Sequence, residues 1–225
     1  MRILHISDTH TYHDLIKIPS GLDMIIHSGD CSNPRDPYNN ESEVRDFIDW
    51  YKEIPVKHKI YVAGNHDTSI EKGLVTKDDF KNAGIIYLEN ESIVIDGIKI
   101  FGSPHTPNFG NWAFMKERNK LERFWRLAID EDVNIVVTHG PPKGILDKSY
   151  DRENNLECCG DKSLLNRILE VQPTYSLFGH IHNCKDIVNA GVQKLSVCNT
   201  FFSNGSVVTD GRFGKLSSNG NLITI

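Results

Sequence analysis

The chain has 225 residues, 25 Lys and Arg against 30 Asp and Glu, and a formal charge of −5 with histidine neutral. That length favours one domain over residues 1–225 around a single core, large enough to fold without a structural metal or disulfide. The acidic balance disfavours strong nucleic-acid binding, which needs a basic face, and no apolar run approaches the roughly 18 residues that span a membrane.

The chain opens on Met1-Arg2-Ile3-Leu4-His5-Ile6-Ser7, a run that predicts a strand over 2–7 and, without a signal core, cytoplasmic residence. Runs of the same kind at 23–28, 58–63, 133–138 and 174–178 predict four more strands. Between them, Val44, Phe47, Ile48, Tyr51 and Ile54 recur at helical spacing behind an Asn40–Glu43 capping-box pattern. Phe114, Leu121, Phe124, Trp125 and Ala128 predict a second helix, and Leu164, Leu165, Ile168 and Leu169 a third. Asp96-Gly97 between two apolar runs predicts a two-residue hairpin, and the tail from Ile187 reads as strands and turns. The pattern is α/β, with the five buried strands expected in one largely parallel sheet. The five cysteines, Cys31, Cys158, Cys159, Cys184 and Cys198, match no disulfide framework or metal knuckle.

Histidine is the unusual residue, at ten copies, and its placement carries the chemistry. The five predicted strands run in turn into Asp8-Thr9-His10, Gly29-Asp30, Gly64-Asn65-His66-Asp67, His139-Gly140 and Gly179-His180-Ile181-His182. A parallel sheet gathers such strand ends at its carboxyl edge, where α/β folds place ligands. Each fragment alone is a common turn or cap; five in order, each closing a strand, have no purely structural explanation. Imidazoles mixed with carboxylate and amide oxygens suit Mn²⁺, Fe, Zn²⁺ or a related divalent ion. The side chains are too many for one ion, and a pair about 3.5 to 4 Å apart sharing a carboxylate would use them to activate water against phosphorus.

These motifs resemble those of the metallophosphoesterase superfamily, the calcineurin-like phosphoesterases, over residues 5–182. Ile100-Phe101-Gly102-Ser103-Pro104, Asn111-Trp112-Ala113-Phe114 and Thr138-His139-Gly140-Pro141-Pro142-Lys143-Gly144 look like its metallophosphoesterase-domain branch, itself similar to class III cyclic-nucleotide phosphodiesterases. The resemblance implies a four-layer α/β/β/α sandwich of two mixed β-sheets flanked by helices, with the site at the carboxyl ends of the strands. It implies two divalent ions, Mn²⁺ foremost, with Fe, Zn²⁺, Ni²⁺, Co²⁺ or Mg²⁺ as alternatives. Asp8, His10 and His182 would bind the first ion, Asn65, His139 and His180 the second, and Asp30 would bridge them. His66 would act on the phosphoryl group and protonate the leaving oxygen, with Asp67 orienting its ring.

The remaining polar residues are given quieter roles. His5 and His27 are expected as hydrogen-bonded core imidazoles, His58 as solvated, and His13 and His105 in loops near the rim. Trp112 and Phe114 could stack on a base but are expected to anchor their loop. The expected function is hydrolysis of a small-molecule phosphodiester, a 2′,3′- or 3′,5′-cyclic nucleotide by resemblance. A protein phosphatase is disfavoured because Gly29-Asp30 continues Cys31-Ser32-Asn33-Pro34-Arg35. A non-catalytic scaffold is disfavoured because His66 and all seven ligand positions are filled. Arg35 is the one arginine near the motifs, and a site poor in cations is expected to prefer diesters over dianionic monoesters.

Overall fold

The protein is described by a computed structural model covering residues 1–210 and 214–225. Strands β1 (Arg2–Ile6), β2 (Met24–His27), β3 (His58–Tyr61), β4 (Ile86–Tyr87) and β15 (Asn221–Thr224) form one sheet in the order β15-β1-β2-β3-β4. A second sheet holds β5 (Glu91–Ile95), β6 (Ile98–Ser103), β9 (Ile135–Thr138), β12 (Tyr175–Phe178), β13 (Gly191–Lys194) and β14 (Phe201–Asn204), ordered β13-β14-β12-β9-β6-β5. Both are mixed. The first is parallel except at β15, and the second is parallel from β14 to β6 with antiparallel strands at each edge. Two short ribbons stand outside them: β7 (Thr106–Pro107) with β8 (Met115–Lys116), and β10 (Lys148–Tyr150) with β11 (Leu156–Cys158). The helices are α1 (Pro37–Glu53), α2 (Thr68–Glu71), α3 (Lys77–Asn82), α4 (Arg118–Ala128) and α5 (Lys162–Val171).

Period-two alternation along the strands builds the layers. Ile3, Met24, Ile26 and Ile60 of the first sheet meet Ile100, Ile135, Val137 and Leu177 of the second across the seam. The intervening residues Leu4, Ile25 and Tyr61 pack beneath Val44, Phe47 and Tyr51 of α1. On the far side, Phe101, Val136 and Phe178 pack beneath Leu121 and Trp125 of α4 and Leu164 and Ile168 of α5. The result is the α/β/β/α sandwich, with three apolar clusters where one core was expected, because each sheet buries both faces. The same fact corrects the expectation of one sheet. Strands buried on both sides read as continuous apolar runs, which carry no record of which sheet they join. His5 sits in the seam with Nδ1 2.8 Å from Ser203 Oγ and Nε2 3.0 Å from Ser28 Oγ, and burial brings its pKa down to about 3 against the pull of Asp8.

Local details follow backbone chemistry. The β5–β6 turn has positive φ at both Asp96 (50°) and Gly97 (83°), as a type I′ hairpin requires. Helix α1 is capped by Asp36, whose carboxylate accepts from the Tyr38 and Asn39 amides, with Pro37 in the first turn. The expected Asn40–Glu43 box is therefore replaced, and Asn40 lies inside the helix on its buried stripe. The Asn40 amide reaches Ser32 Oγ at 2.8 Å, Pro34 O at 3.0 Å and His66 O at 2.8 Å, and its oxygen accepts from the Ser69 amide and hydroxyl. Helix α4 starts at Arg118 and excludes Phe114, whose φ of 55° is incompatible with a helical run. Asn40→Ala, which strips partners from several buried polar groups, should cost about 1–3 kcal/mol of unfolding free energy. An unchanged urea midpoint would contradict that account.

Candidate metal centre

The strands from both sheets deliver their polar ends to one edge of the seam. Two donor sets stand there: Asp8, His10 and His182, and Asp30, His139 and His180, with the ligand atoms of each set within 4.8 Å of one another. Asn65 joins the second set, its Oδ1 2.9 Å from His139 Nε2. The sets touch through Asp30, whose Oδ2 lies 3.2 Å from His139 Nε2 and 3.9 Å from His10 Nε2. All seven residues named for metal binding thus come together.

The backbone is bent to bring them there. Asp8, His10, Asp30 and His180 all adopt positive φ, at 53°, 42°, 59° and 68°. Such conformations cost L-residues energy and persist where the surroundings over-determine them. Part of the compensation is visible in hydrogen bonds. The Asp8 carboxylate accepts from the His180 amide at 2.9 and 3.0 Å and from the Ser206 hydroxyl at 2.7 Å, and the Asp30 carboxylate accepts from the His66 amide at 2.7 Å. Close approach demands glycine at position 64. A Cβ there would overlap the Asp30 carboxylate and come within 2.7 Å of His139 Cε1.

The donor chemistry fits divalent cations. His10 Nδ1 donates to Ser32 O at 3.0 Å and His139 Nδ1 to Ser28 O at 2.8 Å, so each ring presents Nε2 to the site. Burial brings the His10 pKa down to about 4 against Asp30, and that of His180 down to about 3 with the nearby His139 adding to it, so both are neutral donors. Burial also opposes charge on His139, but Asp30, Asp8 and the Ser28 carbonyl overcome it and lift the pKa to about 9. A cation held at Nε2 would take the place of that proton. Burial works against the charges of Asp8 and Asp30, yet the surrounding imidazoles hold both carboxyls below their usual range.

His66 stands beside this set. Its Nδ1 donates to Asn33 O at 3.0 Å, its ring meets Trp112 at 4.1 Å between centroids, and it lies edge-on to His10 at 4.9 Å. The expected pairing with Asp67 is corrected. The Asp67 oxygens are occupied by Tyr61 Oη, the Gly64 and Asp30 amides, the Cys31 amide and thiol, and the Ser32 hydroxyl. A carboxylate filled by backbone and core donors has no face left for the ring, so Asn33 O holds the His66 tautomer instead.

The other expectations sort cleanly. His27 is buried, its Nε2 3.0 Å from Thr9 Oγ1 and its Nδ1 accepting from the Gly29 amide. His13 is buried against Phe47 and Trp50, and His105 Nδ1 donates to Phe114 O; neither lines the cavity over the centre. His58, expected in solvent, is only partly exposed and sits 3.5 Å from Asp96. Phe114 anchors its loop from a buried position, whereas Trp112 lines the cavity. Ser206, Ser32 and Asn40 support the site and were missed. For Asn40 the signal was present, as a polar side chain in register with Val44, Phe47 and Tyr51.

The centre opens on two cavities. One, of about 640 Å³, runs from His180 and His182 past Phe109 and Trp112 to Arg118, Lys143 and the 157–160 segment. The other, of about 480 Å³, is lined by Thr11, Tyr12, Asn33 and Thr209, and both share His10, His66, His182 and Asp210. Arg35 lies with its guanidinium 3.9 Å from the Trp112 ring centroid. The site is therefore less poor in cations than the motif loops indicated, although Arg118 and Lys143 come from other segments.

Residues 1–184 match the family described as calcineurin-like phosphoesterase. A UPF0046 protein of Caenorhabditis elegans is 30% identical over 94% of this chain and 71% of its own length. Human metallophosphoesterase domain-containing protein 1 is 34% identical over 92% of this chain and 66% of its own length, so the chain spans about two thirds of these relatives. Among solved structures, phosphopantetheinyl hydrolase of Mycobacterium tuberculosis shares the fold, with a TM-score of 0.59 at 15% identity over 91% of this chain and 88% of that one. Two facing donor sets at the edge of a two-sheet sandwich, and a family match over most of the sequence, place the chain in the calcineurin-like phosphoesterase family of metal-dependent phosphoester hydrolases.

Proposed function

We propose that the protein is a binuclear metal-dependent phosphodiesterase acting on small nucleotide-type diesters. The observation that carries this reading is the meeting of two cavities at His10, His66 and His182. A phosphoryl group seated there has space on either side for its two ester arms, whereas a monoester would fill one. Two diverging cavities favour an open diester, with a cyclic nucleotide as the second substrate class, since both its ester oxygens belong to one ribose.

Asp8, His10 and His182 would hold one divalent ion and Asn65, His139 and His180 the other, with Asp30 shared; the mixed nitrogen and oxygen donors suit Mn²⁺. Bound there, the pair supplies an activated water and neutralises charge on the phosphoryl oxygens. The protein's own residues supply position and a proton. Asn33 O, accepting from Nδ1, fixes the His66 ring and leaves Nε2 to face the leaving oxygen as the proton donor. Trp112 and His10 confine the ring, so the donor is positioned before substrate arrives.

Asp30→Asn keeps the hydrogen bond from the His66 amide but bridges two cations poorly, so elemental analysis should find metal and activity lost together. One ion per chain in fully active wild-type protein would sink the binuclear centre. His66→Ala should retain both ions while kcat falls by roughly 10² to 10⁴; a matching loss of metal would instead make His66 a ligand. Bis-p-nitrophenyl phosphate and nucleotide diesters should turn over faster than p-nitrophenyl phosphate at equal metal concentration, and the reverse ranking would assign the protein to monoester hydrolysis.

A further inference from the structure

The larger cavity has a far wall that the hydrolytic chemistry leaves unused. Arg118 and Lys143 line it, and both are tied to one short stretch of chain. The Arg118 guanidinium reaches Cys159 O at 3.4 Å and Gly160 O at 3.5 Å, and the Lys143 amide donates to Asp161 O at 3.1 Å. Among the described residues no carboxylate lies within ion-pair distance of either side chain, and both are exposed to the cavity. Glu157 lines the same wall, its carboxylate meeting the Cys159 thiol at 3.9 Å rather than a cation. Two long contacts to carbonyls use little of an arginine fork that presents five donors.

Phe109 lines the same cavity beside the metal centre. It is 53% exposed and holds its ring 5.2 Å from that of His180. An exposed aromatic face beside a metal ligand offers a planar group a surface to lie on. The cavity thus presents a phosphoryl site, an aromatic face and two cations without a carboxylate partner among the described residues.

We propose that Arg118 and Lys143 form a second anion subsite, and that the substrate is a nucleotide bearing a further phosphate group beyond the one that reacts. The proposal rests on the reading of the metal centre as a phosphoryl site. The second phosphate is bound by the guanidinium fork and the ammonium, and the nucleoside between the two phosphates lies along Phe109. Lysine contributes a point charge and arginine the geometry, which gives Arg118 the larger share.

The test compares thymidine 5′-monophosphate with thymidine 3′,5′-bisphosphate by calorimetry on the Mn²⁺-loaded protein. The wild type should bind the bisphosphate about tenfold more tightly, and Arg118→Gln with Lys143→Gln, which keeps an amide donor for the Cys159 and Gly160 carbonyls, should bring that ratio close to one. The monophosphate, reading the metal centre alone, reports that the variant is folded and loaded. No preference in the wild type, or a preference that survives in the variant, overturns the subsite. Absence of bis-p-nitrophenyl phosphate hydrolysis alongside an intact preference would instead remove the diesterase reading and leave the subsite standing.

Discussion

The carboxylate of Asp67 is fully buried, and six donors converge on it, five from the turns that follow β2 and β3 and one from Tyr61 at the end of β3. Burial and the neighbouring Asp30 push its pKa up, against the hydrogen bonds from Tyr61, the Gly64 amide and Ser32, which pull it down. A buried charge is tolerated only when its bonding capacity is filled, and here filling it fixes the Asp30 and Cys31 amides and the Gly64 turn in one arrangement. The shared metal ligand is therefore placed through its backbone. Asn40 ties the same region from the helix side, by holding His66 O and Ser32 Oγ. The metal centre sits on this polar foundation, and the apolar layers sit around it.

Much of this was legible in the order of residues, for identifiable reasons. Strand ends were readable because apolar runs stop abruptly at Asp8, Asp30, Asn65, His139 and His180, and the gathering of those ends follows from parallel strands in either sheet. The Asp96-Gly97 hairpin was readable because its turn type is restricted to few residues. The division into two sheets was not, since buried strands look alike whichever sheet they enter. The role of Asp67 was misassigned because adjacency to His66 says nothing about direction, and the peptide turn at 64–67 points the two side chains apart. The place of Arg118 and Lys143 on the cavity wall was not legible, because only the tertiary fold brings α4 and the 143–160 segment over the centre.

The positive φ values at Asp8, His10, Asp30 and His180 show where stability has been exchanged for geometry. Their strain is offset by neighbours with no part in chemistry: Ser206 on Asp8, Asp67 on the Asp30 amide, and the Ser32 carbonyl on His10. Substitutions at these supporting positions act on the site at one remove, by relaxing the turn rather than by removing a donor atom.

Each donor set draws from both sheets. Asp8 and His10 follow β1 while His182 follows β12, and Asp30 follows β2 while His139 and His180 follow β9 and β12. The Asp8–His182 contact joins residues 174 apart in sequence. Contacts so far apart in sequence cost loop-closure entropy before they repay it, which slows folding as a whole. Neither half of the sandwich holds a complete ligand set. A partly folded chain, or one with its sheets undocked, offers a cation only fragments of weak affinity, and competence to bind metal becomes a signal that the two halves have assembled correctly.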